Sequence, residues 1–190
     1  MMMVSSGKLR RTLYMTVVIA LSVAALPITA VASTGELRVE PAAAGVLTAA
    51  YGLGGLVGSA GVMIRPLRAE ADLSMTCLAA AVGVVLLGAA FAGVFPLAVA
   101  AYALAGVLNS RFFAATLAAR SEYAPAQARG QVFVWIGALK ITAGSAGTAL
   151  AGAIVAPAVH LPLVLAAALI AVAVAASILD RRLGRGIARI

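Results

Sequence analysis

Apolar runs near twenty residues long recur six times along the chain, at 12–33, 41–64, 73–92, 96–118, 131–155 and 161–179. An α-helix rises about 1.5 Å per residue, so roughly 20 apolar residues cross the ~30 Å hydrocarbon core of a bilayer. The pattern predicts six transmembrane helices in one domain over 1–190, and therefore an all-α membrane protein. The shortest division falls between the third and fourth runs, where Gly93 and Pro96 in AGVFP interrupt a helix readily. The first run has a competing reading. GKLRR, an apolar stretch and the small residues Ala30-Val31-Ala32 look like a secretory signal with its cleavage site. The run from Thr12 exceeds the about 7–15 residues of an ordinary signal core, so an uncleaved first crossing is preferred.

Composition agrees with this pattern. The 190 residues are 64% hydrophobic and 11% charged, with a mean hydropathy of +1.10. A soluble domain covers its surface with about 25% charged residues, so lipid is the expected solvent and partner. The net charge of +8 does not point to nucleic acid, because the cations are not interleaved with aromatics on one soluble face. They follow the positive-inside rule instead. With the N-terminus inside, Lys8, Arg10, Arg11, Arg65, Arg68, Arg120, Arg129, Arg181, Arg182, Arg185 and Arg189 fall on the cytoplasmic side, and only Arg38 on the other. This predicts an integral protein of the cytoplasmic (inner) membrane with both termini in the cytoplasm. Cys77 is the only cysteine, and no metal-ligand spacing is present, so neither disulfide, metal nor cofactor is expected.

Small residues add a second layer. GSAG occurs twice, beginning at Gly58 in the second run and at Gly144 in the fifth. Each copy lies in the middle helix of a three-helix set, and the two sets start on opposite sides of the membrane. That is the arrangement of inverted three-helix repeats, common in transporters, although coincidence in a Gly/Ala/Ser-rich chain explains the echo equally. Gly54 and Gly58 are one turn apart, and Gly144 and Gly147 share a face of the fifth helix with Gly137 and Ala151. Helix packing is the first role for these glycines, since a missing side chain lets backbones approach closely.

Two cations remain inside apolar runs. Arg111 lies ~10 Å from the end of the fourth run and Lys140 ~13 Å into the fifth, by helical rise. A cation at mid-membrane costs about 2.5–3.5 kcal/mol on insertion scales, less where it snorkels. Arg111 can partly snorkel to the cytoplasmic headgroups, and a substrate cavity or a charge partner accounts for it as well. Lys140, deeper and among small neighbours, is the stronger candidate for a substrate cavity or a charge partner. Asn109 is a weaker one, about 200° around the helix from Arg111. The six carboxylates, Glu36, Glu40, Glu70, Asp72, Glu122 and Asp180, all map to loops or ends, which leaves no buried acid for proton coupling. Glu122 is expected to pair with Arg129 or Arg120, with Pro125 and Gly130 shaping the turn between the fourth and fifth helices.

The segment NSRFFAATLAARSEYAPAQARGQVF, with Glu122, Pro125, Arg129 and Gly130, resembles the end of the tenth helix and the following cytoplasmic loop of major facilitator superfamily transporters. AYGLGGLVGSAGVMIRPLR looks like that family's eighth helix and the loop before the ninth. The resemblance spans nearly the whole chain as the C-terminal six-helix half of a twelve-helix transporter. One departure stands out: GVMIRPLRAE keeps Gly61, Arg65 and Arg68 of the family's loop motif but lacks its acidic residue. The resemblance implies transport of a small solute by alternating access, with Glu122, Pro125, Arg129 and Gly130 helping to gate the cytoplasmic side. It implies secondary transport, with efflux as one direction, and a missing N-terminal half or a second copy as partner. The alternative is a non-transporting membrane protein, a transporter remnant or a partner subunit. An enzyme is not expected: Ser59 and Ser145 have no buried histidine, and His160 maps to an outer loop.

Overall fold

The computed structural model describes residues 7–66 and 70–187, with side chains described as far as Leu183. Arg68, Arg185 and Arg189 of the expected charge pattern lie outside what is described at side-chain level. Among the described residues the regular structure is entirely helical: α1 (Gly7–Val23), α2 (Leu26–Ala32), α3 (Ala44–Ile64), α4 (Ala71–Ala90), α5 (Phe95–Tyr123), α6 (Arg129–Ile154) and α7 (Leu161–Ile187). Short 3-10 turns at Pro41–Ala43 and Ala126–Ala128 lead into α3 and α6. Six segments are long and apolar enough to cross a membrane, α1 and α2 together forming the first.

Local sequence explains the breaks. Pro27 has no N–H to offer the turn before it, so the first crossing divides at Ala24-Ala25 and resumes with the proline in the first turn of α2. Ala25 N–H is taken by the Ser22 carbonyl three residues back, a tightened turn at 3.2 Å. α5 stops where Ala124 turns extended (ψ 132°), as a residue preceding Pro125 must. Arg65 leaves the helical region before Pro66 in the same way.

The helices run past the ends of the apolar runs. α4 begins at Ala71 rather than residue 73, α5 ends at Tyr123 rather than 118, and α7 continues beyond 179. Hydrophobicity marks where lipid begins, whereas backbone hydrogen bonding carries a helix on into polar residues until a proline or glycine stops it. Arg111 consequently stands twelve residues before the end of α5, about 18 Å by helical rise, and Lys140 eleven residues into α6, about 16 Å. Both are deeper than the apolar pattern implies.

Packing follows a definite neighbour scheme. α3 lies along α5, and α6 lies along α1. α4 packs against both α5 and α7, and α1 against α7, α5 and α4. α1 therefore holds the centre, while α3 and α6 are flanking helices that keep much of their surface outside the body. The main core runs through Met15, Ile19, Leu47, Met75, Val82, Leu86, Tyr102 and Ile170, all essentially without exposure. The Tyr102 hydroxyl donates to the Leu26 carbonyl at 3.0 Å, which ties α5 to the start of α2.

Glycine permits the closest helix pairs. A methyl at Gly54 would fall 1.9 Å from the Ala103 carbonyl oxygen, and one at Gly106 would fall 2.0 Å from that of Tyr51. Gly58 faces Val107 in the same interface, so α3 and α5 meet backbone to backbone. In the α1–α6 pair Gly147 plays this part, since its methyl would sit 2.1 Å from the Leu21 carbonyl oxygen. Around Gly144, Gly61 and Gly137 no atom lies within 4 Å of such a methyl. The GSAG copies thus use different members: the first glycine of one copy and the last of the other. Gly54→Ala and Gly106→Ala are each expected to cost about 1–3 kcal/mol, as overpacking does, and to lower the thermal unfolding midpoint in detergent. Gly144→Ala and Gly61→Ala are expected to stay within about 0.5 kcal/mol of the parent.

Candidate functional site

Three helices bring charges to one end of the bundle, the face on which α1 begins and α7 ends. Arg11 of α1 clasps Asp72 of α4 in a two-pronged contact, Nε to Oδ1 at 3.0 Å and Nη2 to Oδ2 at 3.1 Å. Its remaining nitrogen, Nη1, donates to Oδ2 of Asp180 in α7 at 2.8 Å. Arg181 closes the ring: Nη2 donates to the Thr76 hydroxyl at 2.7 Å and to the Asp72 carbonyl at 3.2 Å. Its Nε lies 3.2 Å from Asp72 Oδ2, an ion contact too bent to count as a hydrogen bond. Thr76 and Ser177 share a hydroxyl contact at 3.1 Å, and Arg10 adds a second cation to Asp180.

Position on the helices makes this cluster coherent. Asp72 sits in the first turn of α4, where the exposed amides favour a negative charge. Arg11 and Asp72 are 6% and 2% exposed, so each neutralises the other away from water. Once dehydrated, such a pair holds only if both partners are present and their hydrogen bonds are made. The neighbouring Lys8–Glu70 contact, 3.0 Å long, is of a different kind, with both side chains about half exposed. The Lys8 ammonium, through that hydrogen bond, holds the Glu70 carboxyl below its usual range. Its small stabilisation is present above the unfolded-state pKa and fades as pH falls through the folded one.

The residues singled out from sequence lie elsewhere, on α5, α6 and the turn between them. Asn109 is half-buried and donates its amide to the Tyr51 hydroxyl of α3 at 2.8 Å. Beside it the Ser110 hydroxyl donates to the Gly55 carbonyl at 2.8 Å. Arg111 is half-buried on the next position. Lys140 is also half-buried, with its ammonium 3.8 Å from the centre of the Phe113 ring. Glu122, Pro125, Arg129 and Gly130 are exposed around the α5–α6 turn, and Glu122 forms no ion pair with Arg129 or Arg120. Arg120 is not a loop residue: α5 extends past it, and it is 3% exposed inside the bundle.

Arg11, Asp72, Asp180 and Arg181 form the main cluster that sequence reasoning missed. Each lies within two residues of the end of a predicted apolar run, which makes it read as a topological charge. The available signal was their sign, since acids are rare on a face otherwise rich in cations. The chain matches no family model, no curated protein and no solved structure.

Removing one partner of the buried pair tests its weight. Asp72→Asn is expected to destabilise by about 3–5 kcal/mol, because the Arg11 guanidinium then stays buried without a counter-charge. Glu70→Gln, which breaks an exposed pair, is expected to change stability by less than about 1 kcal/mol. Thermal or denaturant unfolding of the two variants side by side separates these outcomes.

Proposed function

We propose that this chain is a six-helix half of a transporter resembling the major facilitator superfamily, moving a small solute by alternating access together with a second half. The observation that carries the proposal is the placement of polar groups at bilayer depth on α5 and α6. Arg111 and Lys140 lie far from the helix ends and enter no ion pair among the described residues, and Thr142 and Ser145 are exposed along α6. Hydrocarbon is a poor solvent for such groups, whereas a water-filled cavity or a second half satisfies them.

The neighbour scheme supports an inverted repeat. If the first three crossings correspond to the last three, the α3–α5 pair corresponds to α6–α1, and the α4–α5 pair to α7–α1. Each corresponding pair is in contact, and glycine-mediated approach occurs in both α3–α5 and α6–α1. α3 and α6, the flanking helices, are then the ones that a second six-helix half would meet. The cation-rich face, with Lys8, Arg10, Arg11, Arg65, Arg120, Arg129, Arg181 and Arg182 against Arg38 at the other end, lies in the cytoplasm by the positive-inside rule. The exposed turn holding Glu122, Pro125, Arg129 and Gly130 then belongs to the cytoplasmic gate.

Aqueous access to α6 tests the proposal without knowing the solute. In a Cys77→Ser background, Ser145→Cys in native membranes is expected to react with a water-soluble, membrane-impermeant thiol reagent. Val172→Cys, on an exposed apolar position of α7, is expected to stay unmodified. Equal protection of both positions would place α6 against lipid and remove the cavity on which the transport reading depends.

A further inference from the structure

Helices α5 and α6 follow one another through a short turn, yet their backbones pack against each other only sparingly. Long side chains bridge them instead. Arg120 of α5 lies over the Phe133 ring of α6 at 5.9 Å, and Lys140 of α6 lies over the Phe113 ring of α5 at 3.8 Å. Both helices carry their aromatic and their cation seven residues apart, on one face. Antiparallel packing therefore sets each cation opposite the other helix's ring.

The rings supply quadrupole attraction but no hydrogen-bond acceptor for a guanidinium. Nε and Nη2 of Arg120 are buried with no hydrogen-bond partner, and neither Arg120 nor Lys140 enters an ion pair among the described residues. The chain's own acids do not fill the need. Asp72, Asp180 and Glu70 are engaged by Arg10, Arg11, Arg181 and Lys8, and Glu36 and Glu40 belong to the loop before α3 at the opposite end. Glu122 is two residues from Arg120, about 200° around the helix, and points to solvent. The C-terminal dipole of α5 favours a cation at Arg120, but it leaves those two nitrogens without an acceptor.

We infer that the facing sides of α5 and α6 form an oxyanion site, at which Arg120 and Lys140 serve a carboxylate or phosphate group. A planar guanidinium offers paired donors to such a group, and the ammonium adds a point charge from the facing helix. The inference rests on the transport reading for its biological meaning and narrows the solute to an anion. The same chemistry is offered either by a dissolved solute or by an anionic lipid headgroup.

Isothermal titration calorimetry on the purified protein in phosphatidylcholine nanodiscs tests this, with inorganic phosphate and benzoate as probes. A saturable isotherm with either probe is expected. Its midpoint is expected to rise at least tenfold in Lys140→Gln and in Arg120→Gln, and to stay unchanged in Arg182→Gln, an exposed cation on α7. Lys140 is only half-buried, so its variant keeps the test open if Arg120→Gln does not fold. Phosphatidylglycerol nanodiscs form the second arm: saturation lost there, in a manner dependent on Lys140, assigns the site to a headgroup. No saturation in either lipid, or saturation indifferent to Lys140→Gln, overturns the site. Labelling at Ser145→Cys without anion binding leaves transport standing and removes this inference; anion binding with α6 protected does the reverse.

Discussion

The Arg11–Asp72 pair is the contact on which the arrangement of helices at one end of the bundle depends. Lipid gives apolar side chains little reason to prefer one another over acyl tails, so the hydrophobic effect does not by itself choose which helices are neighbours. A dehydrated ion pair does choose, because either charge left alone in that surrounding is far costlier than the pair. Arg11 reaches Asp72 with two nitrogens and Asp180 with the third, so one side chain sets α1, α4 and α7 against each other. Arg181 and Thr76 then both donate to the Asp72 carbonyl.

Elsewhere, contact distance rather than charge determines the pairing. α3 is held to α5 where Gly54, Gly58 and Gly106 remove the bulk that would separate the backbones, and α6 is held to α1 at Gly147. The two modes divide the molecule. A charged, hydrogen-bonded group of α1, α4 and α7 resists rearrangement, while the flanking α3 and α6 are attached through glycine contacts and a few neutral hydrogen bonds, without ion pairs among the described residues. In the transport cycle proposed above, the second kind of interface is the one suited to small sliding or rocking motions.

Cations at membrane depth follow from the same accounting of partners. Arg11 and Arg181 have acids, so their charge is spent on holding the fold together. Arg120 and Lys140 have aromatic faces and no acids, so their charge is available to something else. Arg120 was legible in the chain only as one more loop cation; its burial arises because α5 continues to Tyr123. Lys140 stood out in the sequence as a charge inside an apolar run, but the Phe113 ring opposite it belongs to another helix and was not readable from spacing on α6.

By itself the sequence determined that six helices are long and apolar enough to cross a membrane, roughly where they lie and which end of the bundle is rich in cations. These are properties of single segments: a run of apolar residues has to be long enough for lipid, and a proline stops a helix wherever it stands. Only the tertiary structure decided what the charges at the segment ends do. Arg11, Asp72 and Asp180 each flank a predicted run by one residue and read there as solvated ends, but the partners are 61 and 169 positions apart. It also decided which glycines matter, separating Gly58 and Gly147 from Gly61 and Gly144 within the same repeated tetrapeptide. The physical reason is that pairing energy depends on the distance between atoms of different helices, and periodicity along one helix carries no information about what faces it.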